Sequence, residues 1–322
     1  MRPFEYHRAY SEAEAAQLAS SDDTALVAGG TDFLPLWRAG VYQPRRVVDI
    51  SRIAGGELKV EGGRLKIGAL CRMSELADSA PLREHCPMIA EALLESASPQ
   101  VRNRATVGGN LMQRTRCAYY RAVGAPCNKR ELKSGCGAIG GEHRLHAVFG
   151  VSAHCIATHP SDLAVALTAA DAQLTLRDSN RERRVPIGEF YLCPQEHPHL
   201  ETVLRRGEMV ASVDIPVSTL NSRSHYVKIR DRASFEFAVV SVAAAIEVSQ
   251  GCVRDVRLAA GGVGTIPWRL RAMEQTLLGA EVSESAFRAG AQRAVDGAVP
   301  LADNRFKLDL LQRLLVRTLS EL

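Results

Sequence analysis

Four cysteines share one segment of the chain that has neither the period of a helix nor the alternation of a strand. They are Cys117, Cys127, Cys136 and Cys155, with nine, eight and eighteen residues between successive members. Their neighbours along the chain are Gly, Pro, Lys and Arg rather than the apolar residues that surround an ordinary core cysteine. The composition therefore favours a chemical role for these thiols.

Several kinds of site use four cysteines. Structural zinc sites use pairs of closely spaced ligands, so the wide spacing fits zinc poorly. Two disulfides require an oxidising compartment, and four unconnected buried thiols are a further alternative. An iron–sulfur cluster accepts thiolates from widely separated positions on a glycine-rich loop. The segment has the glycines for such a loop and cations to offset the charge of a cluster: Gly135, Gly137, Gly140, Gly141, Arg116, Lys129 and Arg130.

These observations favour an iron–sulfur cluster and leave disulfides or spectator thiols as alternatives. The remaining cysteines are isolated along the chain, and we interpret them as core residues or surface thiols: Cys71, Cys86, Cys193 and Cys252.

Two Gly-Gly segments have a similar design. Residues 26–34 (LVAGGTDFL) and residues 106–110 (TVGGN) both pass from apolar residues through two glycines to a small polar residue. Paired glycines allow backbone N–H groups to approach a ligand, and successive N–H groups that point the same way bind anions. Ordinary turns are the alternative. Because the second segment lies in a cationic stretch, we favour a phosphate-bearing ligand.

The cationic stretch runs from Arg102 to Lys133 and holds eight Lys or Arg against one acid, Glu131. It is either a solvated face or an anion site. The dinucleotide fingerprint G-x-G-x-x-G and the phosphate loop G-x-x-x-x-G-K-[ST] are both absent from the sequence. A dinucleotide bound here would therefore not be held by a Rossmann fold.

The bulk properties are those of a folded protein of one large or two medium domains: 322 residues, 46% hydrophobic and 24% charged. A net charge of +4 does not predict nucleic acid or an anionic membrane as a partner. We expect no membrane span and, from the N-terminal MRPFEYHRAYSEAEAAQ, no secretory signal. A cytoplasmic location is then expected unless a partner carries the chain out.

Strand-like and helix-like runs alternate over the first two thirds of the chain. We place a domain boundary near residues 217–224, where VSTLNSRS has the composition of a linker. The pattern predicts a strand from residue 25 into the first Gly-Gly pair and a helix from there through Trp37. It then predicts a hairpin over 57–69 and one helix over 81–97. A capped helix and a strand are predicted over 159–176, and C-terminal helices over 287–295 and 306–319.

Five segments occur in a recognisable order: LVAGGTDFL, RNRATVGGN, HPSDLAVALTAADA, YVKIRDRASFEFAVVSVAAAI and LAAGGVGTIPWR. Together they resemble the FAD-binding subunit of molybdenum hydroxylases, a group that includes xanthine dehydrogenase, carbon monoxide dehydrogenase and aldehyde oxidoreductases. The resemblance implies an α+β fold. It would comprise a p-cresol methylhydroxylase-type FAD-binding domain of two subdomains over residues 1–220 and a carbon monoxide dehydrogenase flavoprotein-like α+β domain over residues 221–322.

The cysteine segment resembles one branch of that family, in which residues 112–158 would be an inserted loop around a [4Fe–4S] cluster. It is most similar to the FAD-binding subunit of bacterial periplasmic aldehyde oxidoreductases and more distantly similar to that of 4-hydroxybenzoyl-CoA reductase. The resemblance implies that Cys117, Cys127, Cys136 and Cys155 are the cluster ligands. It also implies a periplasmic location, reached by export with a partner that carries the signal.

The resemblance further implies which residues bind FAD. Backbone amides of both Gly-Gly segments would hold the diphosphate: Leu26, Val27, Ala28, Gly29, Gly30, Thr31, Asp32, Phe33 and Leu34, with Thr106, Val107, Gly108, Gly109 and Asn110. Asp162 would bind a ribityl or ribose hydroxyl, although its position at the start of a helix is explained by the helix dipole alone. Lys228 would lie near the flavin edge, with a salt-bridged surface lysine as the alternative.

The implied function is electron transfer within a heterotrimer. A large subunit with molybdenum cofactor would oxidise an aldehyde to a carboxylic acid, and a small subunit with two [2Fe–2S] centres would pass electrons to this chain and on to an external acceptor. No catalytic residue for the substrate is expected here. A hydroxybenzoyl-CoA reductase or a xanthine or N-heterocycle dehydrogenase is the alternative within the family. A zinc- or disulfide-stapled binding protein is the alternative outside it.

Overall fold

A small parallel sheet begins the chain in the computed structural model, which describes residues 3–322. Its strands are β1 (Glu5–Arg8), β2 (Thr24–Val27) and β3 (Arg46–Asp49), in the order β1-β3-β2. Helices α1 (Glu12–Ala19) and α2 (Phe33–Arg38) make the connections. Ser11 caps α1 by accepting a hydrogen bond from the Glu14 N–H, as residues of this type do at helix starts.

A five-stranded antiparallel sheet forms the second subdomain. Its order is β4-β5-β8-β6-β7, from β4 (Leu58–Glu61), β5 (Arg64–Gly68), β6 (Gln173–Arg177), β7 (Glu182–Pro186) and β8 (Met209–Pro216). The hairpin of β4 and β5 turns at Gly62 and Gly63, whose φ angles of 56° and 70° are ones that glycine adopts without strain. This is the hairpin that the sequence predicts.

Eight short helices lie along the chain between the strands of this sheet. They are α3 (Met73–Ala77), α4 (Ala80–His85), α5 (Pro87–Glu95), α6 (Pro99–Arg102), α7 (Val107–Leu111), α8 (Ala118–Arg121), α9 (Asp162–Ala169) and α10 (Ile187–Phe190). The single helix predicted over 81–97 is instead α4 and α5, because Pro87 lacks the N–H that a continuous helix needs and Cys86 leaves helical geometry with φ −158°.

The C-terminal part is a second α+β unit, so the α+β class and the two-part architecture are confirmed. Its antiparallel sheet has the order β12-β11-β10-β9. Its elements are α11 (Thr219–Ser222), β9 (Ser224–Ile229), β10 (Val240–Ser249), β11 (Cys252–Gly261), β12 (Trp268–Arg269), α12 (Arg271–Leu277), α13 (Glu284–Arg293), a 3₁₀ turn (Ala302–Asn304) and α14 (Phe306–Ser320). The segment with linker composition thus contains the short helix α11.

Helices α5 and α9 join the two parts. All eight residues of α9 are buried, and this helix packs on β10 and β11 while α5 packs on β9. At the edge of this contact the Glu91 carboxylate accepts hydrogen bonds from the His225 ring at 2.8 Å and from the Tyr226 N–H at 2.7 Å. Among the helices of residues 3–322, none combines the length and apolarity that a membrane span needs.

The Glu91–His225 pair makes stability depend on pH. Its hydrogen bond raises the pKa of His225 above the ordinary 6.5, so the stabilisation is full below that value and is lost as pH rises through the folded-state pKa. We expect the thermal midpoint of His225→Gln to lie below that of the unsubstituted chain at about pH 5.5 and to approach it at about pH 8.5, a contribution below ~1 kcal/mol because the pair is partly exposed. Glu91→Gln should show the same pH dependence, and a pH-independent difference would contradict the assignment.

Candidate functional site: a cleft beside a cysteine loop

A cleft of about 710 Å³ lies between the parallel sheet and the five-stranded sheet. Residues 26–33 form one wall of it, and Thr106, Gly108 and Gly109 contribute to the same cleft. Residues of the second subdomain, including Ala69 and Met209, lie across from them. The structure therefore brings the two Gly-Gly segments together in a cavity of the size of a cofactor site.

The turn between β2 and α2 carries free hydrogen-bond donors. Gly30 has φ 74°, which a residue with a side chain rarely adopts. Over residues 3–322, no protein acceptor lies within hydrogen-bonding distance of the backbone N–H groups of residues 29–33. Consecutive free N–H groups along a cleft are the feature that binds phosphate oxygens in other proteins. The turn therefore presents a row of free backbone donors to the cleft.

The second Gly-Gly segment contributes in a different way, because its N–H groups already have protein acceptors. Those of Val107 and Gly108 donate to the carbonyls of Cys71 and Ala69 at 2.9 and 2.7 Å, and that of Gly109 donates to Thr106 Oγ1 at 3.2 Å. A Cβ at Gly108 would lie 2.9 Å from the Ala69 Cβ. Gly108 and Gly109 thus line the cleft with a bare glycine surface rather than with free donors.

Three of the predicted cofactor-binding residues in these segments lie outside the cleft lining. Leu34 is exposed on α2, and Val107 is fully buried in the main core. Asn110 accepts a hydrogen bond from the Ser161 hydroxyl at 2.6 Å, and Ser161 in turn caps α9. Asn110 therefore ties α7 to the start of α9.

Asp162 and Lys228 form a buried ion pair between the two parts of the chain. The Lys228 ammonium lies 2.8 Å from the Asp162 carboxylate, and the two side chains are only 1% and 7% exposed. Tyr226 and Ser96 also donate to this carboxylate, at 2.6 and 3.1 Å. Burial and the charge of Asp162 raise the pKa of Tyr226 well above its ordinary value, which keeps its hydroxyl a donor. Neither Asp162 nor Lys228 lines the cleft, and their role as flavin ligands stays a prediction.

Replacement of Lys228 tests how much the stability of the protein depends on this buried ion pair. Lys228→Met leaves the Asp162 carboxylate buried without its counter-ion, and we expect a loss of roughly 3–5 kcal/mol of unfolding free energy, measured by denaturant or thermal unfolding. Lys59→Met is the matched control, because Lys59 pairs with Glu57 at the surface and should lose less than ~1 kcal/mol. Equal losses in the two variants would contradict a buried interdomain ion pair.

The four clustered cysteines line one small cavity. Cys117, Cys127, Cys136 and Cys155 all contact it, together with Lys129 and without any carboxylate. Cys127 and Cys136 face each other across an antiparallel bridge. None of these four cysteines is bonded to another cysteine in this structure.

The cysteine cavity has several features of a soft-metal site, although the thiols are not gathered to coordination distance. Across residues 3–322 no three His, Cys, Asp or Glu side chains are close enough to form a ready metal site. The Ala157 N–H donates to Cys155 Sγ at 3.5 Å, and His146 Nε2 lies 3.2 Å from Cys117 Sγ. Burial raises the pKa of Cys117, and it raises that of Cys155 to about 11, so these two are protonated thiols in the metal-free chain.

The cationic stretch is paired with acids that are distant in sequence, which the sequence analysis did not foresee. Arg114 and Lys129 both contact the Glu201 carboxylate, at 2.6 and 2.7 Å. Arg116 and Arg121 both contact Asp32. Four of the eight cations are therefore paired, whereas Arg104 and Lys133 are exposed, so part of the stretch is a solvated face. No local signal predicts these pairs, because each acid lies at least 70 residues from its arginines or lysine.

A close backbone contact at Gly29 gives a direct test of the location of the site. A Cβ at Gly29 would lie 2.0 Å from the Arg104 carbonyl oxygen, so Gly29→Ala must displace the turn that carries the free N–H groups. We expect at least ~10-fold weaker FAD binding, from the loss of about 1.4 kcal/mol or more, measured as flavin content and as the FAD dissociation constant. Gly188→Ala is the control, because nothing lies within 4 Å of the added methyl group. Normal FAD binding by Gly29→Ala would show that the cofactor lies elsewhere.

Comparison with known proteins agrees with this geometry. Residues 2–218 match the family described as the FAD binding domain in molybdopterin dehydrogenase, and residues 225–322 match the carbon monoxide dehydrogenase flavoprotein C-terminal domain. The chain belongs to the FAD-binding subunits of the molybdenum hydroxylases. The predicted family and fold are thus confirmed, and the chain is a subunit of an oxidoreductase.

Individual members of this family show how far the similarity extends. The aldehyde oxidoreductase FAD-binding subunit PaoB of Escherichia coli K12 is 41% identical, over 100% of this chain and 98% of that protein. The 6-hydroxypseudooxynicotine dehydrogenase complex subunit alpha of Paenarthrobacter nicotinovorans is 25% identical, over 100% and 95%. Among solved structures, carbon monoxide dehydrogenase of Hydrogenophaga pseudoflava superposes with a TM-score of 0.78 at 26% identity, covering 99% of this chain and 96% of that chain.

Proposed function

We propose that this chain is the FAD- and [4Fe–4S]-carrying electron-transfer subunit of a molybdenum-dependent aldehyde oxidoreductase. The observation that carries the proposal is the 41% identity to an aldehyde oxidoreductase FAD-binding subunit along the whole chain, including the cysteine loop. The relative named for 6-hydroxypseudooxynicotine is only 25% identical over the same length. The difference in identity supports an aldehyde rather than the other substrates as what the complex oxidises.

The cleft residues fit FAD. The free N–H groups of residues 29–33 would face its diphosphate, and the glycine surface of residues 106–110 would allow close approach. Apolar side chains of the cleft lining, among them Leu36, Ile50 and Met209, would exclude water from the bound cofactor. Bound FAD supplies the ability to accept electrons singly and release them singly or in pairs. The chain positions the cofactor and provides no acid or base for substrate chemistry.

The cysteine loop fits an iron–sulfur cluster in its donor set. Four thiols around one cavity, without competing carboxylates, are the ligands that a [4Fe–4S] cluster uses. Lys129 lines the same cavity, and its ammonium, shared with the Glu201 carboxylate, would offset part of the negative charge. Backbone N–H groups directed at sulfur, such as that of Ala157, tune such clusters in general.

Electron transfer through this chain requires partners. We propose a large subunit with the molybdenum cofactor and a small subunit with [2Fe–2S] centres, which would deliver electrons to FAD and from there to an external acceptor. The proposal follows from family membership, because the relatives are subunits of complexes. Export of the complex to the periplasm with a signal-bearing partner rests on the resemblance alone and stays a prediction.

A spectrum with cofactor counts tests the proposal. We expect the anaerobically purified complex to contain about one FAD and about four irons per copy of this chain, after subtraction of the small-subunit clusters. Addition of an aldehyde should bleach the flavin band. Reduction by xanthine, an N-heterocycle or an aromatic acyl-CoA, with no response to aldehydes, would overturn the substrate assignment. A colourless folded complex would overturn the proposal as a whole.

The variant Cys127→Ser separates the cluster from the flavin. Replacement of one thiolate should reduce the iron count by about four and remove the broad visible absorbance of the cluster, while much of the FAD remains. Cys252→Ser is the matched control, because Cys252 is a free thiol outside the cysteine cavity. Full iron retention by Cys127→Ser would contradict the ligand assignment even if FAD is present.

A further inference from the structure

The carboxylate of Asp32 connects the turn between β2 and α2, called the flavin turn below because the proposed FAD would lie against it, to the cysteine loop of residues 112–158. Asp32 occupies the N-cap position of α2, but its side chain makes no hydrogen bond to its own helix. Instead, Oδ2 accepts the backbone N–H of Arg114 at 2.8 Å, and Oδ1 lies 2.7 Å from Arg116 Nη1 and 2.9 Å from Arg121 Nη2. All three donors come from residues 112–158. The Asp32 side chain thus bonds to residues 112–158 instead of capping α2.

A donor of this contact is also hydrogen-bonded to the backbone just before the first cysteine. Arg121 also donates to the carbonyls of Arg114 and Thr115, at 3.2 and 2.9 Å. The hydroxyl of Thr115 accepts the backbone N–H of Cys117 at 3.3 Å. One guanidinium therefore holds both Asp32 and the backbone that precedes Cys117.

An apolar contact runs parallel to this polar one. Leu36, one helical turn after Asp32, packs in a small cluster with Tyr120 and Cys127, and Cys117 lies against the same cluster. Helix α2 begins at the flavin turn, and it contacts two of the four candidate cluster ligands. A displacement of the loop would thus also displace α2, through the polar and the apolar contact.

The charges make the contact specific. Arg116 and Arg121 are 28% and 22% exposed at the side chain and share one carboxylate that is 15% exposed. The shared carboxylate offsets the repulsion between these two neighbouring guanidiniums. Equally, an unpaired carboxylate beside the turn would repel a phosphate, and the arginines remove that repulsion.

We propose that Asp32 is a positioning residue that couples the two cofactor sites, so that FAD binding and cluster loading strengthen each other. A loaded loop holds Arg114, Arg116 and Arg121 in place, and they hold Asp32 and the turn with its free N–H groups. The inference rests on the proposed function, because it needs both cofactors on this chain. Thermodynamic linkage requires the effect to be reciprocal: bound FAD must also increase the affinity of the loop for its cluster.

The test compares FAD affinity with and without iron in the full complex. We expect the FAD dissociation constant to rise about 10-fold when iron is removed anaerobically with a chelator, within the usual range for linked sites. In Arg121→Gln, whose side chain does not line the cleft, the ratio should fall to about one. FAD should also lengthen the half-time of iron loss to the chelator in the unsubstituted protein and not in this variant. A residue with only a structural role would shift both affinities equally and leave the ratio unchanged.

Arg144→Gln is the matched control. Arg144 belongs to the same loop but pairs with Asp231 at 2.8 and 2.9 Å and does not contact Asp32, so the ratio should stay near 10-fold. If Arg121→Gln does not fold, Asp32→Asn provides the same comparison from the other side of the contact. An iron-dependent ratio that persists in these variants would overturn the role of Asp32. An iron-containing complex with iron-independent FAD affinity would overturn the coupling alone, whereas a complex without iron on this chain would overturn the proposed cluster as well.

Discussion

The close approach of the Gly29 backbone to the Arg104 carbonyl is the constraint on which the site depends. Because a Cβ at Gly29 would lie 2.0 Å from that oxygen, only glycine allows the end of β2 to meet the chain that enters α7. This contact brings the two Gly-Gly segments to one cleft, and it places Asp32 within reach of the cysteine loop. The flavin turn, the bare surface of α7 and the arginine contacts all follow from one missing side chain.

A second constraint joins the two domains. The ion pair of Asp162 and Lys228 is almost fully buried, so the C-terminal sheet cannot separate from α9 without leaving a charge in the core. Helix α9 is buried on all sides, and the main hydrophobic core continues from the five-stranded sheet to residues of β10 such as Ala243. The two sequence families that match the chain therefore describe one packed structure rather than two loosely linked units.

Local sequence patterns predicted the secondary-structure elements. The contacts that form the site, in contrast, join residues far apart in the sequence. The strand β2, the helix after it and the Gly62 hairpin were predicted because glycine and apolar periodicity act over a few residues. The break at Pro87 was missed, although proline is a local signal. The pairs of Asp32 with Arg121 and of Glu201 with Lys129 join residues 89 and 72 positions apart, and no local pattern contains them. The cysteines could be grouped from sequence, but which segment their loop would pack against could not.

The raised pKa values of the buried cysteines affect how readily the loop thiols react in the absence of a metal. The thiolate is the form that reacts with oxidants and disulfides. With the pKa of Cys155 at about 11, roughly one molecule in ten thousand carries that thiolate at neutral pH. Burial thus slows oxidation and disulfide exchange at this thiol. Assembly of the proposed cluster would have to release the proton that burial retains, so burial would protect the thiol and also oppose its conversion to a ligand.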